Sequence, residues 1–122
     1  MSMTEVDTLR ALDSLIALLR QKTIEQASED EFNLITRAIE LINERRPVFE
    51  DGATYYMGAD EPSKPPYRVT LQTCTCPRGR ELICKHRLLI QALNGAIADT
   101  RGFKYARYKR KPDNIEAQDQ MF

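Results

Sequence analysis

Four side chains in this 122-residue chain are soft metal donors, and all of them fall within the thirteen residues from Cys74 to His86. Cys74, Cys76 and Cys84 are its only cysteines, and His86 is its only histidine. They form two close pairs, Cys74-Thr75-Cys76 and Cys84-Lys85-His86, joined by the seven residues from Pro77 to Ile83. Three thiolates and one imidazole make one of the usual ligand sets of a structural zinc ion, which takes four ligands in a tetrahedron. A catalytic zinc keeps one position open for water or substrate, so four donors predict a closed site that stabilises rather than reacts. A disulfide would leave one of three cysteines unpaired, and no stretch reads as an export signal to an oxidising compartment. A nucleophilic cysteine fares no better, because Glu81 is the one nearby acid and no second histidine can complete a catalytic set. The expected protein is a binding protein of the reducing cytoplasm, not an enzyme.

The spacing also constrains what holds the donors. Side chains two apart on a strand share a face, so Cys74 and Cys76 chelate together from an extended segment. Two steps along an α-helix turn by about 200°, so Cys84 and His86 cannot both sit inside a regular helix and face one ion. The helix therefore starts between them, with Cys84 as its cap and His86 in its first turn. There, free N–H groups and the positive helix end favour a thiolate.

The order Cys-x-Cys, a short loop, then Cys-x-His followed at once by an amphipathic helix resembles the SWIM-type zinc finger. Commoner fingers have wider gaps within each pair. Further likenesses are the extended run Tyr67 to Leu71, Pro77 after the second cysteine and Lys85 between the last two ligands. The resemblance covers about Tyr67 to Ile97. It implies a small strand-strand-helix unit that binds DNA or proteins, usually inside larger enzymes.

Charge is divided along the chain. Met1 to Glu61 carries six basic and thirteen acidic residues, net −7, whereas Pro62 to Phe122 carries twelve basic and five acidic, net +7. Such asymmetry points to polyanion binding by the basic half, although attraction between the halves would need no partner. Three thiolates, a neutral imidazole and Zn²⁺ sum to −1, so Arg78, Arg80, Lys85 and Arg87 leave cationic surplus for phosphates. The stretch Arg101 to Lys111 adds six basic residues and three aromatics with no acid. In it, Phe103, Tyr105 and Tyr108 could stack on bases while Lys104, Arg107, Lys109, Arg110 and Lys111 grip phosphates. The same aromatics also suit a half-buried final strand.

The acidic half reads as a helical hairpin. Leu9, Leu12, Leu15, Ile16 and Leu19 recur at helical spacing from Thr4 onward. Ser28-Glu29-Asp30-Glu31 is a capping-box pattern, followed by a stripe of Phe32, Ile35, Ile39 and Ile42, and Pro47 stops this helix at about Arg45. Asp51-Gly52 between Val48 and Met57 predicts a β-hairpin, and Tyr67 starts a third strand that runs into the cysteines. A helix from Lys85 to about Asp99 then crosses the sheet. The expected fold class is α+β, with an N-terminal helical hairpin, a three-stranded antiparallel sheet, a zinc knuckle and one packed helix. Its divisions are 1–46 (acidic helices), 47–100 (zinc-binding module) and 101–122 (basic aromatic segment and polar tail). The function so implied is a zinc-stabilised protein that contacts DNA or RNA, with the N-terminal helices dimerising or recruiting a protein partner. An adaptor that binds only proteins is the alternative. The longest apolar run, Leu15 to Leu19, is far too short to span a membrane.

Overall fold

A hairpin organises the sheet. Gly52, at φ +65°, supplies the left-handed conformation that a tight turn requires, and joins β2 (Val48–Asp51) to β3 (Thr54–Met57). Val48 pairs with Met57 and Phe49 with Tyr56. The computed structural model describes residues 3–59, 63–77, 83–97 and 100. On one side of the hairpin, β4 (Tyr67–Val69) pairs antiparallel with β3. On the other, Thr4–Glu5 forms β1 and pairs with β2, so the sheet has four strands in the order β1-β2-β3-β4 rather than the three expected. The α+β class holds.

The first helix does not begin at Thr4. Asp7 caps a 3₁₀ turn at Thr8–Ala11 by accepting from the Leu9 N–H, and α1 follows at Leu12–Glu25. Helical spacing alone carried the expectation too far upstream, because a two-residue strand shows no period and its partner lies over forty residues away. The second helix, α2 (Glu29–Asn43), starts where Ser28 Oγ accepts from the Glu31 N–H at 3.3 Å. It ends just before Pro47, with Arg45 in the left-handed region at φ 57°. Its buried stripe is Leu34, Ile35, Ala38, Leu41 and Ile42, while Phe32 and Ile39 are only half-buried. The stripe is turned relative to the expected one because α2 packs against both α1 and the third helix.

That third helix, α3 (Lys85–Leu93), is the central element and touches α1, α2, the 3₁₀ turn and β4. Its buried residues run from Leu88 to Ala92 without a break, as expected of a helix covered on more than one side. It is shorter than expected. Gly95, at φ +66°, lets the Gly95 and Ala96 N–H groups return to the Ala92 and Gln91 carbonyls, which closes the last turn. Asn94 then hydrogen-bonds Tyr55 Oη at 3.2 Å and ties the helix end to the sheet. One hydrophobic core runs from Ala11 and Leu15 through α2, Val48, Tyr55, Met57 and Val69 to α3. Among the described residues no helix is long and apolar enough to cross a membrane.

Beneath the α1–α2 corner lies a buried ion pair. Lys22 Nζ is 3.2 Å from Glu31 Oε2 and 3.3 Å from Glu25 Oε1, and Thr100 Oγ1 donates to Glu31 at 2.7 Å. The Glu31 carboxylate thus turns inward to Lys22 and Thr100, although its own N–H is held by Ser28 as the capping pattern predicts. Burial pulls the Lys22 ammonium toward neutrality, but Glu31 and Glu25 outweigh it and raise its pKa above the ordinary 10.5. A raised value means the contribution is complete below 10.5 and lost only as pH climbs through the higher folded value. Lys22→Met should therefore cost about 3–5 kcal/mol by stranding Glu31, whereas Lys22→Met with Glu31→Leu should cost far less. Urea unfolding of both variants checks this, and equal losses would contradict it.

Candidate metal centre

The knuckle is built by a chain reversal that the strand pattern concealed. After β4 the chain does not run straight into the cysteines but turns at Thr70–Thr73. The Thr70 hydroxyl accepts from the Gln72 and Thr73 N–H groups at 3.2 and 3.0 Å and meets the Thr73 hydroxyl at 2.8 Å. Threonine favours such turns because its hydroxyl offers nearby amides a local acceptor. The chain then returns beside β4, with Cys74 bridged to Val69, and the Thr75 N–H donating to the Arg68 carbonyl at 3.1 Å. Gln91 of α3 holds the turn from the other side, donating to the Leu71 carbonyl at 2.9 Å.

On the opposite wall, α3 starts as the spacing predicts. Cys84 is its N-cap, in extended backbone, and its Sγ accepts from the Arg87 N–H at 3.4 Å. His86 lies in the first turn. Its ring packs on Tyr67 of β4 at a centroid distance of 4.8 Å and a tilt of 58°. Cys74 Sγ likewise accepts from the Cys76 N–H at 3.5 Å. Backbone donors aimed at sulfur favour the thiolate, the form that binds metal.

Together these elements bring the four donors to one point. The ligand atoms of Cys74, Cys76, Cys84 and His86 all lie within 4.8 Å of one another, and all four residues are buried. His86 Nδ1 is 3.8 Å from Cys74 Sγ and 3.7 Å from Cys84 Sγ. A tetrahedral ion with metal–sulfur and metal–nitrogen bonds of about 2.3 and 2.1 Å has edges of about 3.6–3.8 Å, so the set fits a metal ion. Nδ1 is the nitrogen that faces the sulfurs. Nε2 is buried without a hydrogen-bond partner among the described residues.

Electrostatics divide the three sulfurs. Hydrogen bonds from Cys74 and then Cys84 hold Cys76 far below the usual thiol range. The same contact with Cys76, then Cys84 and burial, drives Cys74 far above it. For Cys84 the contact with Cys74 pulls downward, but Cys76 and burial outweigh it and push the thiol up to about 11. The three sulfurs therefore do not ionise independently of one another.

Of the expected nucleic-acid contacts, Lys85 and Arg87 are half-buried in the first turn of α3, beside the ligands. Arg78, Arg80, Phe103, Lys104, Tyr105, Arg107, Tyr108, Lys109, Arg110 and Lys111 lie outside the described residues. The sequence reading missed the supports of the site: Tyr67 against the imidazole, and Gln91 and Thr70 shaping the turn. Two threonines flanking a Leu-Gln pair were the available signal for that turn. No family model, curated protein or solved structure matches the chain.

Two outcomes follow from this geometry. Serine is itself a favoured N-cap, so Cys84→Ser keeps the helix start while removing a ligand. The variant should lose metal stoichiometry and the cooperative unfolding of the C-terminal half, whereas Ser28→Ala should cost only about 1 kcal/mol with metal content intact. Metal analysis with thermal unfolding checks both. Because the Cys84 thiol is pushed up to about 11, loading at neutral pH should release protons and affinity should rise with pH. Titration in two buffers of different ionisation enthalpy reads that release.

Proposed function

We propose that the chain is a small zinc-stabilised binding protein of the SWIM-type knuckle class, which contacts DNA or RNA through its basic half. The carrying observation is the buried Cys74, Cys76, Cys84 and His86 cluster at the first turn of α3, with Lys85 and Arg87 on that same turn. Zinc is the ion this donor set suits, since thiolate and imidazole are its common structural ligands. Bound there, it supplies folding energy and no reaction chemistry. The four protein donors complete its coordination and leave function to the surrounding surface. The short gaps within both pairs support the SWIM assignment.

Support for a nucleic-acid target comes from charge. The half that follows Glu61 is net +7, and part of the opposing acid is consumed internally, because Asp30 and Glu31 are buried. Thr100, immediately before the stretch of six basic residues and three aromatics, is fastened to Glu31. Cations there grip phosphates without regard to sequence, and aromatic rings stack on unpaired bases.

Salt is the test. Binding of the metal-loaded chain to single-stranded oligonucleotides should weaken steeply with salt, the log–log slope growing by about 0.7 for each phosphate neutralised. Reversing the charge of Lys104, Arg107, Lys109 and Arg110 together should abolish binding while leaving metal content unchanged. Absence of binding to DNA and RNA even at low salt would sink the reading and leave a protein-binding adaptor.

A further inference from the structure

The outward face of the sheet carries a row of side chains that no role so far described uses. Val48, Tyr55, Met57 and Val69 point into the core, so their strand neighbours point away from it. The register aligns Glu5 with Phe49, Phe49 with Tyr56, and Tyr56 with Arg68. One line across all four strands therefore reads acid, aromatic, aromatic, base. Glu5 and Arg68 are exposed, Phe49 is 37% exposed and Tyr56 is half-buried. The described helices lie on the other face, where Val48, Tyr55, Met57 and Val69 share one core with residues of α1, α2 and α3.

That order is complementary to itself. A two-fold axis parallel to the strands and midway between β2 and β3 turns the row end for end. Two sheets facing each other about this axis, roughly 10 Å apart, place Glu5 opposite Arg68 of the second copy and Phe49 opposite its Tyr56. The next line follows the same rule: Asp51 pairs with Thr54 across the hairpin, so the carboxylate meets the threonine hydroxyl of the copy. A two-fold contact requires such reciprocity, because residue i meeting j obliges j to meet i.

We propose that this sheet face is a homodimer interface, in which two copies stack their Phe49–Tyr56 pairs and cross-match Glu5 with Arg68. Charge decides between occupants. A phosphate-binding sheet would carry a cationic surplus, whereas the described strands place two acids, Glu5 and Asp51, against one base, Arg68, on this face. The apolar stripe of α2 is already spent, with Leu34, Ile35, Ala38, Leu41 and Ile42 buried in the chain's own core beside Leu15 of α1. Four strands spaced about 4.8 Å apart give a patch about 15 Å wide, well below the roughly 800 Å² per partner of a standard interface. The dimer is accordingly a weak, exchanging one, with a dissociation constant on the order of 0.1–1 mM. It depends neither on the bound ion's identity nor on nucleic-acid binding.

Sedimentation equilibrium of the full, metal-loaded chain from micromolar to millimolar concentration tests it. The apparent mass should rise toward twice that of the chain. Phe49→Ser should raise the dissociation constant at least tenfold, and Tyr56→Ser serves in its place should the first variant lose its metal. Arg68→Glu should weaken the dimer about fivefold, since rim charges chiefly set register. Combining it with Glu5→Arg should restore the wild-type value, because the exchanged row is still self-complementary. A single mass across the whole range overturns the proposal, as does an exchange variant no better than Arg68→Glu alone. So does a response of the Phe49 and Tyr56 ring resonances to oligonucleotide but not to protein concentration.

Discussion

The first turn of α3 has to meet two demands at the same residues. Its free N–H groups need acceptors, and four soft donors must converge within one coordination shell. Cys84 meets both, since its sulfur accepts from the Arg87 N–H while facing His86 Nδ1 at 3.7 Å. The rest of the C-terminal half follows from that coincidence. Tyr67 must lie beside the imidazole, the chain must reverse at Thr70–Thr73 to present Cys74 and Cys76, and Gln91 must reach back to hold the reversal. Local hydrogen bonds position the pairs, and an ion would convert the arrangement into a covalent-like tie between β4's return and α3.

Around this knot, polar groups are used for registration rather than bulk stability. The Lys22–Glu31 pair is buried at the α1–α2 corner, where each charge is costly unless the other is present. Its hydrogen bond to Thr100 extends the constraint to the far end of the described chain. Asn94 and Tyr55 do the same between α3 and the sheet. The core is apolar and continuous, so it supplies the driving force, and these few polar contacts select one arrangement of its parts.

Function is thereby moved to the surface. In the proposed reading the four donors complete the coordination of an ion, and recognition falls to the charge carried by the basic half and to the open face of the sheet. These surfaces differ in kind. The basic half has the cations and rings that suit a polyanion, whereas the sheet face is nearly balanced in charge and ordered so that it matches its own image.

What the chain's sequence determined alone is whatever depends on near neighbours. The two donor pairs, the cap at Cys84 with His86 in the first turn, the hairpin at Asp51-Gly52, the start of α2 at Ser28 and its stop before Pro47 all rest on contacts within a few residues. Spacing and residue type are enough for those. Tertiary structure decided what depends on distant partners: the pairing of Thr4–Glu5 with β2, the turning of α2 onto Leu34 and Leu41, the inward swing of Glu31 to Lys22, and the row from Glu5 to Arg68. Periodicity marks which residues want to be buried. Which surface buries them is set by elements that come together only when the whole chain folds.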